Sequence, residues 1–212
     1  YDTRKNLLGY DDVLRQQREI MYKQRDEVIF KDDVHEIVDE LFHKVAEKVT
    51  NQSIKVEDKE NIVDVDQLKE RLLKQFIPLN MVRDIVINKS DIYDIIDEVY
   101  GILINCLAKK KEEWGPEIFK DIEKQILLRT IDKNWTDHID RMDKFRQGVG
   151  LRGYAQQNPL QAYVNEGYTR FQEMTDRIAE ETVFTCLHAI VKINKPEEES
   201  KDSKKEDKKG KK

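Results

Sequence analysis

Residues 146–159 run Arg-Gln-Gly-Val-Gly-Leu-Arg-Gly-Tyr-Ala-Gln-Gln-Asn-Pro and hold three of the eight glycines and one of the four prolines. A glycine after a helical run is a stop signal, because it takes the left-handed backbone that ends a helix without a Cβ clash. Asn158 followed by Pro159 is the complementary start signal. The Asn side chain accepts an orphan amide hydrogen bond, and Pro at the first helical position gives up no needed N–H. The stretch predicts a helix, a tip over 148–158 and a second helix running back. Gly148, Gly150 and Gly153 are the expected hinge of that tip, and Leu151, Arg152 and Tyr154 the side chains it presents.

Both flanks are helix-like. From Glu117 to Gln147, Ile118, Ile122, Ile126, Ile131, Trp135, Ile139, Met142 and Phe145 recur at helical spacing. From Leu160 to about Ile193, Val164, Gly167, Phe171, Met174, Ile178, Thr182 and Cys186 do the same. Two such faces joined by a short connection pack antiparallel. Gly167 removes bulk from its face and is expected to let Trp135 or Ile139 come close. On such a face Trp135 reads first as a packing residue, whereas Tyr154, flanked by glycine, has little to pack against. An aromatic on a protruding loop more often meets a partner.

Upstream, residues 1–30 predict one long helix: Leu7, Leu14, Met21 and Val28 recur every seventh position. It opens without a capping sequence, which predicts that the chain continues upstream. Residues 31–115 form an expected all-helical lobe between two long helices. Asp32-Asp33 opens its first helix, with Val34, Ile37, Val38, Leu41, Phe42, Val45 and Val49 as the apolar stripe. Polar residues from Asn51 to Asn61 break the pattern, Val65 to Phe76 is a shorter helix, and Ser90-Asp91 caps a run from Ile92 to about Glu113. Trp114-Gly115-Pro116 is the break before the hairpin, whose region is 116–194. Residues 195–212 are almost all charged or small polar, and the expectation there is a disordered tail.

Charged and apolar residues each make up 38% of the chain, a balance that suits long solvated helices better than a thick core. The expected fold is all-α. A net charge of −5 leaves no global footprint for nucleic acid. Cys106 and Cys186 fall in apolar runs and read as buried thiols. The only Gly-Lys pair is Gly210-Lys211, in the tail, so a phosphate-cradling loop is excluded and no catalytic residue is expected. His35 and His43 lack carboxylate partners at zinc-helix spacing, and the acids around His138 (Asp132, Asp137, Asp140, Asp143) read as a solvated face, so no metal is expected.

Asp2-Thr3-Arg4-Lys5 through Leu8, Tyr10-Asp11-Asp12-Val13, Gln17-Arg18-Glu19 and Tyr22 resemble the long scaffold helix of SecA, the ATP-driven motor of bacterial preprotein translocation. Leu128 to Asp132, Trp135, His138-Ile139, Met142-Asp143, Arg146-Gln147-Gly148 and Leu151 to Gln156 resemble that family's two-helix finger. The resemblance implies a helical wing at 31–115 and a finger that enters the mouth of the SecY channel. Tyr154, with Arg152 and Leu151 beside it, would touch the moving unfolded preprotein. Trp135, Ile139, Met142 and Arg146 would be hairpin packing and regulatory contacts toward motor domains lying upstream, where ATP and magnesium act.

It also implies a cytoplasmic protein held peripherally at the cell membrane and leaves a homodimer open; four lysines among the last five residues make anionic lipid an expected peripheral neighbour. Gly150 stands where relatives usually carry His. The family's zinc-binding tail has no counterpart after Cys186, so zinc is not expected. A stand-alone helical coiled-coil adaptor is the alternative reading of the same helices.

Overall fold

The computed structural model describes residues 2–81, 84–152 and 158–190. Gly153, Tyr154 and the expected tail at 195–212 lie outside them. The architecture is all-α with one small addition. Its elements in order are α1 (Asp2–Phe30), α2 (His35–Asn51), β1 (Ile54–Glu57), β2 (Glu60–Val63), α3 (Val65–Gln75), α4 (Ile92–Trp114), α5 (Pro116–Arg152) and α6 (Pro159–His188).

The helix ends follow from local chemistry. Asp91 caps α4 by accepting from the amides of Tyr93 and Asp94, and Asp64 caps α3 by accepting from Gln67. Asn158 caps α6 through the Leu160 amide, with Pro159 in the first turn. α2 begins after Val34, and the Asp33 carboxylate accepts from the His35 amide at 2.9 Å.

The lobe between α1 and α5 is not purely helical. The polar break holds an antiparallel hairpin in which Ile54 faces Val63 and Glu57 faces Glu60. Its two-residue turn, Asp58-Lys59, has φ of 49° and 68°. Both central residues at positive φ match the right-handed twist of the strands, the geometry of a primed turn. Ser53 and Asp64 continue the pairing through a 2.8 Å backbone bond.

One apolar core joins this wing to the lower part of α5 and α6. Val38, Phe42, Val45 and Val49 of α2 meet Ile95, Val99 and Leu103 of α4 and Ile178, Val183 and Leu187 of α6 in a continuous cluster. Tyr100 donates to Asp39 at 2.7 Å across α4 and α2, and that bond together with partial burial pushes its phenol up to about 12. Lys44 and Lys48 of α2 reach Asp176 at 2.9 and 3.4 Å, and Lys48 also reaches Glu180 at 2.6 Å, so the wing is seated on α6.

The link between α1 and α2 is clamped to α5. Lys124 donates to the carbonyls of Ile29 and Lys31, both at 2.8 Å, satisfying groups that the end of α1 leaves open. Lys120 pairs with Asp32 at 2.7 Å. Glu123, only 1% exposed, meets Nδ1 of His35 at 3.2 Å; burial pushes its carboxyl up, opposed by His35 and Lys111. Residues 120, 123 and 124 share one helix face, so a single turn of α5 fixes where the wing departs.

α4 ends at Gly115, whose φ of +83° and ψ of 147° belong to a region that is essentially glycine-only. No atom of the described residues lies within 4 Å of where its Cβ would stand, so the constraint there is one of backbone. Gly115→Ala is expected to destabilise the fold by ~1–3 kcal/mol in chemical denaturation. A neutral result would show that the α4–α5 corner relaxes freely.

Candidate functional site

α5 and α6 form the expected hairpin, and side-chain pairs fix its antiparallel register. Lys133 and Asn134 meet Glu181, His138 lies against Phe171, Met142 faces Gly167 and Phe145 stacks on Tyr163. The residue facing Gly167 is therefore Met142, with Val13 and Gln17 of α1, and not Trp135 or Ile139. A Cβ on Gly167 would stand 2.9 Å from Met142 Cε and 3.5 Å from Val13 Cγ1.

The first arm runs further than its glycines suggest. α5 continues through Gly148 and Gly150 to Leu151 and Arg152, so these positions are helical and not a loop hinge. Val149, between the glycines, is 3% exposed and packs with Met142, Phe145 and Tyr163. That burial holds the last turns in helical register where isolated propensity would release them. The connection beyond Arg152 is correspondingly shorter than 148–158.

The hairpin is not free-standing. α1 lies along it, antiparallel to α5 and parallel to α6, and contacts recur over its length. Toward the wing, Arg25 makes two bonds to Asp132, at 2.7 and 3.2 Å. Midway, Gln17 bridges all three helices: its Nε2 donates to the Gly167 carbonyl at 3.1 Å, and its Oε1 accepts from Nε2 of His138 at 2.7 Å. Toward the connection, the Tyr10 ring stands edge-on to Tyr163 at 4.9 Å, and Arg146 pairs with Asp11 at 2.7 Å while lying over Tyr10. Gly9 lets Leu160, at the start of α6, come so near that a Cβ there would meet its Cδ2 at 2.7 Å. α1 thus braces the hairpin to its far end.

The buried face of α5 is partly polar. Glu123, Thr130, Asn134 and His138 are each 6% exposed or less, whereas the expected core residue Ile118 is 54% exposed. Asn134 donates to the Thr130 carbonyl at 3.0 Å and to Glu181 at 3.1 Å. Because a carbonyl can only accept, the Gly167 contact orients the Gln17 amide, and that orientation makes His138 Nε2 the protonated nitrogen. Nδ1 is then a buried acceptor, without a partner among the described residues. Burial, with Arg177, Arg141 and Arg170 nearby, pushes the His138 imidazole down to about 4 from its ordinary 6.5.

The other expected site residues divide by exposure. Met142 is fully buried and can act only through packing, and Arg146 is held by Asp11. Ile139 is half-buried. Trp135 is half-buried as well, and lines a surface groove of about 330 Å³ with Met21, Tyr22, Arg25, Ile131, Asp132 and Thr136. Gln17, Tyr163 and Gly9 carry the brace and gave no sign of it in sequence, since each needs a partner more than a hundred residues away. Among the described residues no three His, Cys, Asp or Glu side chains stand close enough to hold a metal ion. No helix among them is long and apolar enough to cross a membrane.

The sequence of these helices also has counterparts among known proteins. Residues 1–190 match the model of the SecA Wing and Scaffold domain. The chain belongs to the SecA family. It is 38% identical over 191 residues to the protein translocase subunit SecA of Clostridium botulinum (strain Alaska E43 / Type E3), covering 90% of this chain and 23% of that protein. Against the protein translocase subunit SecA of Clostridium novyi (strain NT) it is 40% identical over 199 residues, 92% of this chain and 23% of the relative. Against the protein translocase subunit SecA 1 of Clostridioides difficile (strain 630) the figures are 37% over 183 residues, 86% and 20%. The chain spans about a quarter of the length of these SecA relatives or less, and the part it matches is the wing and scaffold.

Two outcomes test this geometry. His138 is lowered in the folded state, so between pH 6.5 and about 4 the unfolded chain binds a proton that the folded one refuses. Stability that is fully present above 6.5 is lost as pH falls through that window, by on the order of 3 kcal/mol at its acid end. The difference in stability between wild type and His138→Leu, measured by urea denaturation across the window, should carry that slope; a difference independent of pH refutes the buried neutral imidazole. Gly148 is helical, and no atom of the described residues lies within 4 Å of where a Cβ on it would stand, so Gly148→Ala should stabilise the fold by up to ~1 kcal/mol and raise the melting temperature.

Proposed function

We propose that this chain is the wing-and-scaffold part of a SecA translocase motor and that its α5–α6 hairpin works as a braced finger. The connection after Arg152 reaches toward a SecY-type channel, where Tyr154, with Arg152 and Leu151 beside it, contacts unfolded preprotein. ATP hydrolysis with magnesium takes place in motor domains outside this segment, and the protein acts in the cytoplasm at the membrane face, beside anionic lipid. The observation that carries this reading is the continuous engagement of α1 with the hairpin. From Arg25–Asp132 through Gln17 to Gly9–Leu160, a displacement of the long helix is passed to both arms.

A contact that must accept many sequences is best made by aromatic surface and backbone bonding, which suits a Tyr beside glycines. Trp135 is the one hairpin residue named above that combines a half-buried ring with an open groove, so it is the favoured point for a regulatory contact with the motor domains. Met142 and Arg146 support it from within.

The test is Tyr154→Cys in the full-length protein with Cys106 and Cys186 replaced, scored for disulfide crosslinking to a translocation-arrested preprotein. A crosslink that needs both substrate and channel supports the proposal. Reaction only with other parts of the same chain would make Tyr154 a packing residue and the hairpin a brace. In parallel, Tyr154→Ala should cut translocation at least tenfold with the melting temperature unchanged.

A further inference from the structure

Among the described residues, the three-helix bundle of α1, α5 and α6 holds two separate apolar cores. The basal one is continuous with the wing and ends, on the hairpin, at Ile131, Trp135, Phe171 and Met174. The distal one consists of Met142, Phe145, Val149 and Tyr163, with Tyr10, Val13, Leu14 and Ala162 around it. Between them lies the layer of Gln17, His138 and Gly167, one residue from each helix, joined by hydrogen bonds, with Met142 of the distal core against Gly167 and the His138 ring beside Trp135 and Phe171 of the basal one. Gly167 contributes no side chain, and His138 contributes a nitrogen with no partner among the described residues.

Packing is also open beside this layer. A groove of about 270 Å³ between α1 and α6 is lined by Gln17 itself with Val13, Ile20, Val164, Tyr168 and Phe171. The Trp135 groove opens between α1 and α5, about one turn further toward the wing. The break in the cores, the polar layer and the two grooves fall at nearly the same height of the bundle.

We propose that the Gln17–His138–Gly167 layer is a joint: the distal end of the bundle moves and opens as a unit against the base, and the layer both permits that motion and fixes the register to which it returns. Apolar packing has no preferred partner and would fuse the cores into one cooperative block. A layer of directional bonds separates them, and only one axial register allows Gln17 to satisfy both His138 and the Gly167 carbonyl. Cooperative units of unequal stability are an ordinary property of folded chains, and the smaller core belongs to the unit that opens first. The proposal concerns the motion of the bundle and is independent of what the connection at its end touches.

Hydrogen exchange by mass spectrometry on the full-length protein tests it. Amides of α5 after residue 141, α6 before residue 167 and α1 from 9 to 14 should exchange as one group, at least tenfold less protected than those of 122–135 and 171–187. A single group, or a boundary more than two turns from His138, overturns the proposal. The double variant Gln17→Leu with His138→Leu replaces the bonded pair by apolar side chains and should merge the groups, raising distal protection at least tenfold. Two groups persisting in the folded double variant would show that the layer does not divide the bundle.

Gln17→Leu alone reads the same joint if the double variant folds poorly. It leaves the His138 N–H without its acceptor and should lower distal protection at least tenfold while basal amides stay unchanged. An equal loss in both groups would mark Gln17 as a general packing residue and overturn the proposal.

Discussion

The Gln17 side chain has one donor end and one acceptor end, and each is used on a different helix. With α1 bonded at once to the α6 backbone and the α5 imidazole, neither sliding nor rotation of α1 is free. A slide by one turn would bury an amide, an imidazole and a carbonyl without this mutual satisfaction, and leaving buried polar groups unpaired costs more than a made bond gains. The longer-range contacts of the bundle, Arg25 with Asp132 and Arg146 with Asp11, are half-exposed ion pairs of modest strength. They reinforce a register that the buried amide sets.

A second fixed point lies at the root of the wing, and its chemistry differs. Lys124 closes the end of α1 by taking two carbonyls, while Glu123 and Lys120 hold His35 and Asp32 on either side of the short link. The wing is therefore attached through backbone capping and charge, and then seated on α6 by a large apolar core. Gly115 performs the matching turn where the chain leaves the wing, using a backbone conformation closed to other residues. Entry and exit of the wing are both pinned, which distinguishes an inserted lobe from a bead on a linker.

The all-α class and the course of α1, α4, α5 and α6 were legible in sequence because each is a long run of helix-forming residues, with a recognisable Asp or Asn cap on α4 and α6 and Gly115-Pro116 marking the start of α5. Three features were not. The β1–β2 turn places Asp58 and Lys59 at positive φ without a glycine or asparagine, so the usual hairpin signal is absent. The glycines at 148 and 150 imitate a helix end, and only the burial of Val149 against α6, a tertiary effect, carries the helix past them. The buried face of α5 follows Glu123, Thr130, Asn134 and His138, residues whose types suggest the surface. Their partners on α1, α2 and α6 are what make them interior, and no local pattern records a partner so distant along the chain. Of the candidate site, the two arms and their antiparallel sense could be read, whereas the brace could not.

The position of the polar layer sets a lever. From His138 to Arg152 α5 has fourteen residues to its end, or about 21 Å at the helical rise of 1.5 Å per residue. A rotation of only about 10° at the layer would carry that end through roughly 4 Å, close to the 3.8 Å spacing of consecutive Cα atoms. Small angular play at the proposed joint would thus shift the end of α5 by about the length of one residue.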